Sequence, residues 1–174
     1  MARELIEPLR PDFHIREAFA SGQPLHDRYL RDLAHLEMAG QSSSVFVLTA
    51  GGSPRVLGYY TLCLGVVHLD APQRGFPDRL CITLMNRLAV QKYSPGNPQE
   101  LLFLDALRRS WQLSRRQPTF ALVVDVQTAD PQSAPFYESY GLQPLPGQPG
   151  RLFLPLGSCK SLFAGDGSWR SNRS

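Results

Sequence analysis

The stretch from Arg87 to Arg109 decides how this chain folds. It runs Arg87-Leu88-Ala89-Val90, then, after two residues, Tyr93-Ser94-Pro95-Gly96-Asn97-Pro98-Gln99-Glu100, then Leu101-Leu102-Phe103-Leu104-Asp105-Ala106-Leu107-Arg108-Arg109. The first piece is a short β-rich run, the second a cluster of chain-breaking residues, the third an apolar-periodic run. Over Pro98 to Ser114, Leu101, Leu104, Leu107 and Trp111 recur at helical spacing, while Asp105, Arg108, Gln112 and Arg115 fall elsewhere on the wheel. The stretch therefore predicts strand, turn, helix. Such a turn leaves unpaired backbone N–H groups at the helix start with the positive end of the helix dipole behind them, a place that attracts phosphate.

Downstream, Phe120 to Val126 is a continuous apolar run of the kind that forms a central strand covered on both faces. A second helix, about Gln132 to Tyr140, stops at Gly141, and Arg151 to Leu156 reads as a further strand. Upstream, Leu25, Tyr29, Leu33 and Leu36 mark an amphipathic helix over Leu25 to Met38. Val45 to Thr49 and Val56 to Leu64 flank Gly51-Gly52-Ser53-Pro54 as a hairpin. His68 to Arg79 reads as a loop, and Cys81 to Leu84 with Arg87 to Val90 as one strand broken near Asn86. The hairpin is antiparallel, whereas a strand, helix and strand in succession imply a right-handed crossover and parallel pairing. The expected class is α/β with a mixed sheet.

The totals set bounds. A chain of 174 residues, 43% hydrophobic, buries one sizeable core, and we expect a single domain over 1–164 with a flexible tail over 165–174. Eighteen Lys and Arg against fifteen Asp and Glu give a formal charge of +3, which permits an anionic partner without demanding one. Cys63, Cys81 and Cys159 are odd in number and form no C-x-x-C, so neither a disulfide framework nor a zinc site is expected. His14, His26, His35 and His68 show no metal-ligand spacing and read as surface or capping residues. Acidic residues stand where a secretory leader would be apolar, and no run approaches a membrane span, so the expected location is cytoplasmic.

The quoted stretch resembles the acetyl-CoA-binding motif of the GNAT superfamily of N-acetyltransferases. Ala134-Pro135-Phe136-Tyr137-Glu138-Ser139-Tyr140-Gly141-Leu142 resembles its closing motif of Ala, a Phe-Tyr pair and a Gly-Phe ending. Phe13 to Leu30, Val45 to Leu62, Arg87 to Arg109 and Phe136 to Leu154 are similar, in order and spacing, to the branch that acts as toxins of toxin-antitoxin modules and acetylates aminoacyl-tRNA. The resemblance implies a GNAT fold whose parallel strands splay apart around the pantetheine of acetyl-CoA. It implies cofactor contacts from Leu88, Ala89, Val90, Gly96, Asn97 and Gln99, oxyanion stabilisation by a backbone N–H near Leu88, and Tyr137 as the general acid for the departing thiolate. It further implies a ribbon-helix-helix antitoxin as partner and a homodimer.

The family's phosphate loop reads Arg/Gln-x-x-Gly-x-Gly/Ala with a further glycine opening the helix, and here only Gly96 is kept. Pro98 has no N–H to give and Glu100 adds a negative charge. The same residues make a good helix start without any ligand, with Asn97 as N-cap, Pro98 first and Glu100 third, like a capping box. Two functions therefore stand open: acetyl transfer to a primary amine, with aminoacyl-tRNA as acceptor, or a GNAT-like binding module that has lost or altered acetyl-CoA binding. Arg28, Arg31, Arg108, Arg109, Arg115 and Arg116 are candidates to meet tRNA phosphates or to form a solvated face. Asp125 either orients a base or sits in a turn, and the general base is unassigned.

Overall fold

The computed structural model describes residues 3–69, 75–126 and 131–163; the expected tail over 165–174 lies outside them. β1 (Glu4–Pro8) leads into α1 (Pro24–Arg28), a π-helical turn (Tyr29–Leu33) and α2 (Ala34–Ala39). β2 (Ser44–Ala50), β3 (Val56–His68), β4 (Arg79–Met85) and β5 (Leu88–Val90) follow, then α3 (Pro98–Ser114) and β6 (Ala121–Asp125). A 3₁₀ turn (Pro131–Ser133) opens α4 (Ala134–Glu138), and β7 (Gln143–Pro144), β8 (Arg151–Pro155) and α5 (Lys160–Phe163) close the described chain. The sheet runs β1-β2-β3-β4-β6-β8-β7 with β5 off this path on β3. β4 and β6 pair in parallel and the other pairs are antiparallel, so the mixed sheet expected from the crossover is present.

The strand broken near Asn86 is the feature that shapes the molecule. β4 lies beside β6 from Ile82↔Ala121 to Met85↔Val124. Past Met85 the chain jogs at Asn86 and Arg87, and β5 stays on β3 through Tyr60↔Leu88, Tyr59↔Ala89 and Gly58↔Val90. One edge of β5 is thus left without a strand among the described residues. Thr61 N–H donates to Arg87 O at 3.0 Å and Gln91 N–H to Leu57 O at 2.7 Å, so the odd-numbered residues spend their backbone groups on β3. By the alternation of an antiparallel ladder, the N–H and C=O of Leu88 and Val90 face the open side.

Alternating strand residues supply two cores. Leu48, Tyr60 and Leu62 meet Leu102, Phe103, Ala106 and Leu107 of α3 on one face, while Val45, Val47 and Tyr59 meet Tyr29, Leu30 and Ala34 on the other. Both helices differ from expectation in the face they bury. On α3 Pro98, Leu102, Phe103, Ala106, Leu107 and Ser110 are buried; of the expected row Leu107 is buried, Leu104 and Trp111 pack half-buried against the core and Leu101 is exposed, so the buried face is centred on Leu102, Phe103 and Ala106. In the first helical segment His26, Tyr29, Leu30 and Ala34 are buried, whereas Leu25 is 80% and Leu36 58% exposed. The π turn adds a residue there and shifts the phase that a 3.6-residue period would carry through.

Gly58 marks where α3 comes closest to the sheet. A Cβ there would stand 2.7 Å from Leu102 Cδ1 and 3.1 Å from Ala89 O, so the first turn of α3 can seat only over a bare backbone. Across the same face Tyr60 Oη donates to Asp105 Oδ2 at 2.7 Å, and Arg109 Nε donates to the same oxygen at 2.7 Å with its guanidinium 4.0 Å over the Phe46 ring. Burial, with the Asp105 charge beside it, pushes the Tyr60 phenol far above its ordinary value, so it stays a donor at every working pH. Gly58→Ala is expected to cost about 1–3 kcal/mol by overpacking. Urea unfolding should show a lower midpoint with an unchanged slope.

Candidate functional site

The site is built where the open edge of β5 meets three helices. A cavity of about 130 Å³ is lined by Leu88, Ala89 and Val90 of β5, Gln99 of α3, Ser133 and Tyr137 at α4, and Ser21, Gln23 and His26 at α1. Leu88, Ala89, Val90, Gln99 and Tyr137 were expected from the sequence, and the fold brings all five to this one cavity. Tyr137 is buried, its ring edge-on to Phe103 at 5.4 Å and to Phe136 at 5.1 Å, so packing sets the ring plane while the residue still lines the cavity.

Gly96 and Asn97 do not line that cavity. They form the turn between β5 and α3, where Tyr93 (φ 66°) and Gly96 (φ 77°) both take the left-handed conformation. Asn97 stands at the N-cap position with Pro98 after it, yet no side-chain cap hydrogen bond forms, which corrects the capping-box expectation. Its amide donates to Glu100 Oε2 at 2.6 Å, and Tyr140 Oη donates to Glu100 Oε1. The carboxylate that would repel an anion is therefore drawn onto two donors of its own chain, and no side chain caps the first-turn amides of Gln99 and Glu100. Pro98 removes one donor. The helix start keeps the dipole and two N–H groups for a phosphate.

His26 is the residue that sequence reasoning missed. It is 5% exposed rather than a surface residue, and Tyr59 Oη donates to its carbonyl oxygen at 2.8 Å, which pins α1 over β3. A signal was present in its place three residues before Tyr29, but the leucine row hid it. His14 is buried too, with Nε2 3.2 Å from Glu7 Oε1. Asp125 pairs with Arg151 at 3.6 Å. The six arginines do not make one patch, because α1 and α3 cover opposite faces of the sheet; Arg28 and Arg31 both approach Asp32, and Arg109 is held by Asp105.

A larger cavity of about 720 Å³ lies at the far end of α3, between Phe46, Leu62, Cys63, Leu64, Arg109 and Arg116. It holds Arg109 and Arg116, two of the arginines considered for tRNA phosphates, but none of the residues expected at acetyl-CoA or the thiolate, and size alone does not make it the reaction site. Among the described residues no group of His, Cys, Asp and Glu could hold a metal, the three cysteines are unbridged, and no helix is long and apolar enough to cross a membrane.

No family model matches the chain. It is 31% identical over 151 residues to a tRNA-acetylating toxin of Mycobacterium tuberculosis, spanning 84% of this chain and 89% of that one. Among solved structures it superposes on a tyrosine-to-phenylalanine mutant of the toxin AtaT bound to acetyl-CoA and the C-terminus of the antitoxin AtaR. The TM-score is 0.81 at 23% identity, over 93% of this chain and 99% of that one. It also superposes on AtaT complexed with acetyl-methionyl-tRNAfMet, with a TM-score of 0.82 at 22% identity over 92% and 99%. The architecture is the GNAT fold that the sequence led us to expect.

The pairing at the helix start predicts a double-variant result. Tyr140→Phe releases one oxygen of Glu100 and should weaken binding of inorganic pyrophosphate roughly fivefold, the size of one like charge at close range in water. Adding Glu100→Gln should restore it, with isothermal titration at low salt as the measurement.

Proposed function

This chain belongs to the family of tRNA-acetylating toxins, and from that premise we propose that it moves the acetyl group of acetyl-CoA to the α-amino group of an aminoacyl-tRNA. The observation that carries the reading is the meeting of the open backbone edge of β5 with Tyr137 in one cavity. An edge with exposed N–H and C=O groups suits the amides of a pantetheine arm, which would extend it as a further strand. The N–H of Leu88, preorganised by the β3 ladder, would polarise the thioester carbonyl. The start of α3 would receive the pyrophosphate through the amides of Gln99 and Glu100.

Acetyl-CoA supplies the acyl group and a thiolate to leave. Tyr137, whose hydroxyl can give a proton, protonates that sulfur. AtaT, in a structure that shares this fold, is complexed with acetyl-methionyl-tRNAfMet, which supports an aminoacyl-tRNA acceptor here. The AtaT mutant bound to the C-terminus of AtaR supports an antitoxin partner. We extend the reading to a ribbon-helix-helix antitoxin, a homodimer and work in the cytoplasm, where charged tRNA is found.

Tyr137→Phe should lower kcat for acetylation of charged tRNA by about 10²-fold or more while acetyl-CoA affinity stays within a few-fold. Induced in a bacterial host, the wild type should arrest growth and the variant should not. A wild type that gives no heat with millimolar acetyl-CoA and leaves charged tRNA unmodified would hand the assignment to the binding-module reading, which rests on Pro98.

A further inference from the structure

Resting on the transfer reaction above, we propose that His26 is the general base that takes the proton from the acceptor amine. Acetyl transfer from a thioester to an amine sets two proton tasks on opposite sides of one carbonyl. The leaving sulfur needs a proton, and the attacking nitrogen must lose one first, since an α-amino group ordinarily titrates near about 7.7–8.0 and arrives largely as ammonium. Among the described residues that line the cavity, two side chains titrate: Tyr137 and His26. They come from opposite sides of the sheet, Tyr137 with the core under α3 and His26 with the helical segment on the other face, so one can serve the sulfur while the other meets the incoming nitrogen.

The mount of His26 suits a base. Its backbone is held by Tyr59 Oη, and the neighbouring Asp27 is occupied by Ser21, whose N–H and Oγ donate to Asp27 Oδ1 at 2.8 and 2.6 Å. Of the charged and titratable groups, Asp27 follows it in the chain, Tyr59 of β3 holds its carbonyl, and Tyr137 of α4 lines the same cavity. Asp125 meets Arg151, Glu100 meets Asn97 and Tyr140, Glu37 meets Tyr29 at 2.6 Å and His14 meets Glu7, and none of these four lines the cavity. An imidazole nitrogen can take such a proton and return it to water.

The step balances. The acceptor ammonium gives one proton to His26, which passes it to solvent, and the freed lone pair forms the N–C bond as the C–S bond breaks. The sulfur keeps the C–S electron pair and takes the Tyr137 proton, and the second proton lost by the acylated nitrogen recharges Tyr137. The net products are the amide, the free thiol and one proton.

The test uses the full-length chain, acetyl-CoA and a pool of enzymatically charged tRNA. His26→Gln should bind acetyl-CoA within about threefold of wild type yet lose about 10²-fold in kcat, and imidazole added at about 0.1 M should recover part of the loss in His26→Ala. Wild-type rates in His26→Gln, or no recovery of His26→Ala by imidazole, overturn the assignment; acetyl-CoA binding reports that a variant is folded, and where His26→Gln does not fold His26→Asn is read in its place. An active wild type with an unaltered His26→Gln removes this assignment alone, whereas a wild type that transfers no acetyl group removes the transferase reading beneath it.

Discussion

Everything in this molecule depends on a backbone ladder that stops early. β4 and β6 are parallel neighbours for four residue pairs, ending at Met85 and Val124. Beyond that point β5 keeps its bonds to β3 and gives none to β6. A pair of parallel strands that went on together would bury those amides in the sheet and leave no opening. Because they part, the N–H and C=O of Leu88 and Val90 are left as an open backbone edge, and Tyr137 and His26 line the cavity beside it. Gly58 and the Tyr60–Asp105–Arg109 cluster hold α3 against this ladder, so the turn and helix start at residues 93–98 sit at the mouth of the gap.

At that mouth the chain balances loss against repair. Pro98 gives up a donor that a glycine would have offered, and Glu100 brings a charge of the wrong sign for a pyrophosphate. The structure answers the charge but not the donor. Asn97 abandons the cap role for Glu100, and Tyr140, from the turn after α4, reaches the other carboxylate oxygen. A helix start whose amides no side chain caps is less stable by itself, by roughly 1 kcal/mol for a missing cap, and is left more available to an anion.

Much of this was legible from residues alone. The apolar run at 120–126, the break near Asn86 and the chain-breaking cluster at 93–98 specified the central strand, the split and the helix start, because each is a local signal. Leu88, Ala89, Val90, Gln99 and Tyr137 came from the motif they resemble. The faces of the helices did not, since counting leucines at a 3.6-residue period cannot detect a π turn, and α3 packs on Phe103 and Ala106 as much as on leucine. β7 carries two residues, too few to show a period, and β1 sets Leu5 beside Ile6 with no alternation. His26 escaped notice because a single histidine announces nothing until the fold says what surrounds it, and the fate of Glu100 hinged on Tyr140, forty residues away.

The π turn at Tyr29–Leu33 separates two tasks along one rod of chain. Each residue added to a helix swings the later side chains by about 100° around its axis. α1 can therefore aim His26 inward under the hold of Tyr59, while α2 aims Glu37 at Tyr29, whose ring lies 3.8 Å beneath the Arg87 guanidinium. An uninterrupted helix would lock those two aims to a single phase. With the extra residue between them, the half that holds His26 over β3 and the half that braces the strand junction are set at independent angles about the same axis.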